Sequence, residues 1–161
     1  MKRLVLVLLI SLSGLRPAIA QTPDEWVAQG TRVHGGFGSL IAVGIRIGLE
    51  GLRDLGASAR EVDVTYRDGV GTPCPCIVDG IQVATGASAG QKSLRVAAEP
   101  APAGDFALIE MRHRGSGAVV RYRVPDSART MMLGLNRLAS PLERYAAVMQ
   151  TPAADIFIRL P

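Results

Sequence analysis

The 161-residue chain carries two cysteines, Cys74 and Cys76, one residue apart in GTPCPCIVDGIQVATG. A C-x-C pair presents two soft thiolates, a donor set suited to Zn(II) or Cu(I), but two ligands do not close a four-coordinate site. His34, and with it Asp79, are the residues available to complete one. Joined as a disulfide, cysteines this close in sequence form a strained ring, and strained bridges are the easily reduced kind, so the pair then reads as a redox couple. A third reading needs no chemistry: free cysteine is often buried, and a thiol at a helix start packs into a core. Residue types alone leave the three open.

Three further residues bear on this site. Asp79 and Gln82 lie three apart, on one face of an otherwise apolar helix. An acid in the first helical turn suits the positive end of the helix dipole, which accounts for Asp79 structurally. Gln82 has no such reason and is a candidate for a hydrogen bond to a loop or a ligand. His34 precedes the glycine loop GGFG, where little side-chain bulk crowds it. The other histidine, His113, stands between Arg112 and Arg114 and reads as solvated.

The glycine loop invites comparison with phosphate cradles at helix N-termini. The dinucleotide fingerprint fails, because Ile41 stands where its third glycine belongs, and no P-loop lysine follows. The loop reads instead as a tight turn into a helix. Neither a Ser-His-Asp order with a nucleophile elbow nor a paired-carboxylate signature is present, so no reaction is compelled and a binding role is expected.

The elements that position these residues follow from periodicity. QTPDEWVAQG, from Gln21 to Gly30, reads as a turn and a short helix anchored by Trp26 and Val27. Leu40, Val43, Ile47, Leu52 and Leu55 recur at helical spacing, with Ser39 as the expected N-cap and Gly56 as the stop. Gly44, Gly48 and Gly51 each cost that helix about 1 kcal/mol against alanine. Gly44 and Gly48, four apart, are expected to admit a close neighbour from this chain or a second copy, with Arg46, Glu50, Arg53 and Asp54 facing solvent. REVDVTY, residues 60–66, alternates as a strand, and a second helix is expected from about Cys76 to Thr85, ended by Gly86. LRVAAE reads as another strand, and DFALIEMRHR and AVVRYRV flank GSG as a hairpin. DSARTMMLGLNRLA and PLERYAAVMQ read as helices, the second capped by Ser140, and DIFIRL as a last strand. The sum is a single α+β domain: a central, mostly antiparallel sheet with helices packed on one face.

The first twenty residues read as a Sec signal: Lys2 and Arg3, an apolar run from Leu4 to Leu15, then Ala18 and Ala20. The run is shorter than the roughly 20 residues that span a bilayer, so cleavage at Ala20/Gln21 is expected, giving a periplasmic or secreted protein with no membrane span. The formal charge of +4 for the whole chain then falls to +1, as 15 basic residues face 14 acidic ones. With so small a charge and few aromatic residues, a nucleic-acid partner is not expected. Residues 21–161 suit one domain with a real core and need no disulfide staples.

CIVDGIQVATGASAGQKSL resembles the core motif of the FmdE-like domain family of formylmethanofuran dehydrogenase, Cys-x-Val-Asp-Ala-Ile-Gln-x-x-Thr-Gly-Cys-Thr-x-Gly. VHGGFGSLIAVGIRIGLEGLRDLG is similar to that family's His-Gly-His-x-Cys-Pro-Gly loop and the helix it opens; the resemblance covers about residues 30–125. It implies an α+β domain, commonly a homodimer, with a metal held by histidine and cysteine. His34 matches the first loop histidine, Cys76 the cysteine of the core motif, Asp79 and Gln82 its acid and amide, and Thr85 and Gly86 its exit. Gly36 replaces the second histidine, Gly38 the loop cysteine, Ser39 and Leu40 the Pro-Gly, and Ala87 the last cysteine.

Cys74 is an addition that can stand in for one lost thiolate. The resulting expectation is a zinc, copper or nickel ion, or a small molecule, held by His34, Cys74, Cys76 and Asp79, with Gln82, Thr85 and Gly86 lining the pocket. The alternatives are a redox disulfide between Cys74 and Cys76, and a degenerate module that dimerises on the Gly44 and Gly48 face.

Overall fold

The computed structural model describes residues 21–161, so the expected signal segment lies outside it. Helix α1 (Pro23–His34) opens on a capping box: the Thr22 hydroxyl accepts from the Glu25 N–H, while the Glu25 carboxylate accepts from the Thr22 N–H at 2.7 Å. The helix does not stop at Gly30 as the sequence suggested. A Cβ there would lie 2.7 Å from the Phe37 ring, so this glycine is a packing device inside the helix. Gly35, at φ 87°, ends it instead. His34 therefore belongs to a helix end, not to the loop.

Helix α2 (Ser39–Leu55) is the buried centre of the molecule. Its N-cap is Gly38, whereas Ser39 is the first helical residue and fully buried. Asn136 performs the cap, accepting from the Ser39 N–H at 2.7 Å and from its hydroxyl at 3.0 Å. This side chain comes from nearly a hundred residues away and occupies the N-terminus that a phosphate-cradle reading left open.

Helix α3 (Cys76–Thr85) crosses α2 at glycine contacts. A Cβ on Gly44 would sit 2.0 Å from the Ile77 carbonyl, and one on Gly80 would sit 2.1 Å from the Ile41 carbonyl. Gly48 faces the Ala84 methyl, and Gly51 faces the Met111 sulfur on the sheet. The propensity lost at these positions is thus exchanged for backbone-close packing within one chain. Of the two neighbours expected at the Gly44 and Gly48 face, one from this chain or a second copy, it is this chain's α3 that fills it.

Five strands form an open mixed sheet in the order β2-β1-β3-β4-β5: β1 (Val62–Asp68), β2 (Leu94–Val96), β3 (Asp105–His113), β4 (Val119–Pro125) and β5 (Ile158–Leu160). Only the β1–β2 pair is parallel. Val62, Val64 and Tyr66, then Ala107, Ile109 and Met111, then Val120, Tyr122 and Val124 are buried on one face. Apart from Phe106, buried at the irregular start of β3, their neighbours are half-buried or exposed, so the strand period of two divides the sheet into a helix-covered side and an open side.

The C-terminal third departs most from the sequence pattern. The expected helix 126–139 breaks into a 3₁₀ turn, a short helix α4 (Arg129–Gly134) and another 3₁₀ turn, which delivers Asn136 to α2. Helix α5 (Pro141–Gln150) has the expected Ser140 cap, completed by Glu143. The expected strand from Asp155 loses its start to one helical turn, α6 (Ala153–Ile156), and only Ile158–Leu160 pairs with β4.

Two residues assigned to solvent are tied down instead. Arg46 donates to the carbonyls of Val148 and Thr151, at 2.6 and 2.5 Å, and Asp54 accepts from the Tyr122 hydroxyl at 2.8 Å. The architecture is one α+β domain, and among the described residues no single helix is long and apolar enough to cross a membrane.

Candidate metal centre

Three segments converge beside α3. His34 is the last residue of α1, Cys74 lies in the loop before α3, and Cys76 is the first residue of α3. One ring nitrogen of His34 and the two Sγ atoms lie within 4.8 Å of one another. A tetrahedral zinc with two sulfurs and a nitrogen separates its ligand atoms by about 3.5–3.8 Å, so the two sulfurs, bonded to each other here, must first be parted by reduction to share an ion with the imidazole. Cys76 is buried, Cys74 is half-buried and His34 is exposed, so the donors run from the core to the surface and an ion has an approach from solvent.

Asp79 completes the arrangement from one side. Its Oδ2 lies 2.7 Å from His34 Nδ1, tying the end of α1 to the first turn of α3. A carboxylate only accepts, so Nδ1 is the donor in this contact and Nε2 is the ring nitrogen left for another partner. A carboxylate behind the imidazole is the usual way a ligating histidine is oriented and made more basic. Asp79 is thus a hydrogen-bond partner of the histidine.

Cys74 and Cys76 are joined as a disulfide in this structure, with Cα atoms 5.3 Å apart. A disulfide sulfur has no thiolate lone pair to offer as a strong metal ligand. The two sulfurs can act as metal ligands only after the bridge between them is reduced.

The pocket residues divide. Gln82 and Gly86 line an open depression of about 360 Å³ between α1 and α3, together with Gln29, Arg32, Val33 and Ala87. Gln82 is half-buried and without a side-chain hydrogen bond to the described residues, one turn along the helix from Asp79. Thr85 does not reach this depression: it is fully buried, and its hydroxyl donates to the Ile81 carbonyl at 2.7 Å. Gly86 closes α3 at φ 66°. Gln29 and Arg32 were not singled out from sequence: Arg32 lies past Gly30, where the helix was expected to end, and Gln29 belongs to no motif. His113 points back to its own hairpin, where Nδ1 accepts from the N–H groups of Gly115 and Ser116 at 3.0 and 2.9 Å.

A model of the family described as FmdE, Molybdenum formylmethanofuran dehydrogenase operon, matches residues 33–158. That span begins just before His34 and ends in the last strand, so it takes in both glycine-crossed helices and the sheet. No curated protein matches the chain.

Proposed function

The chain belongs to the FmdE family, and from that premise we propose that it binds a metal ion through His34, Cys74 and Cys76 when the two thiols are reduced, in an exported, non-enzymatic role. The observation that carries this reading is the convergence of one imidazole and two sulfurs within 4.8 Å, with a carboxylate behind the imidazole. Two thiolates and one imidazole suit Zn(II) or Cu(I); nickel, which prefers tetragonal nitrogen and oxygen donors, fits this set less well. Three protein ligands leave a fourth position for water or a small molecule. Export rests on the Lys2–Ala20 pattern, which also makes a disulfide-permissive compartment the working environment.

Zinc titration of the reduced protein tests this reading. One equivalent per chain is expected for the wild type, and loss of tight binding for Cys74→Ser and for Cys76→Ser. Asp79→Asn is expected to weaken binding about 10–100-fold by releasing the histidine. A reduced wild type that binds no zinc or Cu(I) overturns it.

The bridge between Cys74 and Cys76 favours a second reading, a thiol redox protein in which the pair cycles by exchange with an external dithiol. Thiol trapping across a series of glutathione potentials checks it. A pair that stays in one state throughout that range is not a redox couple.

A further inference from the structure

The open face of the sheet carries a second cluster, remote in the register from the cysteine turn. Reading across the strands, Arg95, Thr65, Glu110 and Arg121 are successive neighbours in one row, and Arg67, Leu108 and Arg123 in the next. Arginines on adjacent strands of one face repel unless carboxylates intervene. Most of them have one. Glu110 takes Arg121 at 2.8 Å, with Arg112 at 3.8 Å; Asp105 takes Arg123 at 2.9 Å; and Asp63 takes Arg114 at 2.8 Å.

Arg67 and Arg95 have none among the described residues. Arg95 donates only to the Thr65 hydroxyl, at 3.2 Å. The two arginines border the same concavity of about 240 Å³, whose remaining lining is Thr65, Leu108, Glu110 and Arg121. Its rim thus holds three guanidinium groups against one carboxylate, and that carboxylate is already engaged.

We infer that this concavity binds a small oxyanion carrying two negative charges. Guanidinium groups are the side chains best matched to carboxylate and phosphate oxygens, because their planar fork donates two parallel bonds. Thr65 keeps its hydroxyl proton for a third bond, since it accepts from Arg95. The backbone pairing of β1, β2, β3 and β4 fixes the Cα positions of all the donors, so the site is built on strands instead of loops. The surplus of two positive charges sets the charge of the ligand, and half-buried Leu108 gives the floor an apolar contact for a carbon skeleton.

Calorimetric titration of the full protein with succinate and, separately, with inorganic phosphate tests the inference, at low and at matched higher chloride. Saturable binding of one or both is expected, weakening with salt and falling about tenfold or more in Arg67→Gln and in Arg95→Gln. Arg137→Gln, off this face, should bind as the wild type does. The tighter probe identifies the class, succinate for a dicarboxylate and phosphate for a phosphoryl group. Should a glutamine variant fail to fold, Arg67→Lys and Arg95→Lys replace it, keeping charge while losing the two-pronged donation. Absence of saturable binding to the wild type, or binding that neither arginine substitution weakens, overturns the proposal.

Discussion

Asp79 shows how one residue can satisfy two accounts. Read from sequence, an acid in the first turn of α3 is explained by the helix dipole; in space its carboxylate holds His34 at 2.7 Å and sets that ring's tautomer. The type and place of the residue were legible, but its partner 45 positions away was not. Cys74, Cys76 and His34 were legible as a set because few residue types bind soft metals. Thr85 illustrates the opposite case, a hydroxyl absorbed by its own helix.

A different acid carries the pH prediction. Tyr66 Oη and Asp68 Oδ1 are buried without hydrogen-bond partners among the described residues, and burial lifts the Asp68 carboxyl above its ordinary range. A carboxyl raised on folding contributes stability in full below its unfolded value, about 3.9, and loses it as pH rises through its folded value. Asp68→Asn should therefore raise the unfolding midpoint at neutral pH, with the gain shrinking toward about pH 3. A variant that is less stable than wild type at neutral pH contradicts this.

At the scale of elements, α2 and α3 were legible almost to the residue, since their apolar spacing and closing glycines agree: Gly56 and Gly86 both end helices in the left-handed region. Local signals failed where tertiary packing reassigns a residue. Gly30 looked like a stop and is a seat for Phe37, and Ser39 looked like a cap and is a buried donor to Asn136 and the Met132 carbonyl. Residues 126–139 have helical composition, but the chain turns repeatedly there to bring Asn136 to α2.

The glycine contacts between α2 and α3 make the sharpest prediction at this scale. Gly44→Ala places a methyl 2.0 Å from the Ile77 carbonyl. Relief requires the helices to part, so a loss of about 3 kcal/mol or more is expected by chemical denaturation, against a gain of about 1 kcal/mol had the helix been exposed. Because α3 also carries Cys76 and Asp79, the same substitution should loosen the metal site. Unchanged or raised stability contradicts the packing described.

For the whole molecule, one sheet separates two surfaces. The covered side supports α2 and α3 and thereby the His34, Cys74 and Cys76 convergence, while the open side carries the arginine grid. The alternation that divides them is plain in β4, where Val120, Tyr122 and Val124 fall two apart and are buried on one face. The sheet order was not readable, because the parallel β1–β2 contact joins segments with a helix between them. Membership of the FmdE family over residues 33–158 agrees with the α+β architecture and with the motifs that flank the site.

The central claim is that the described disulfide and a metal ion compete for the same two sulfurs. Zinc titration of the dithiol and disulfide forms of the intact protein, compared side by side, tests it most directly. The account predicts one tightly bound zinc per chain for the dithiol form, release of that zinc when the pair is oxidised, and no comparable binding by the disulfide form. Equal zinc binding by both forms, or none by the dithiol form, contradicts it.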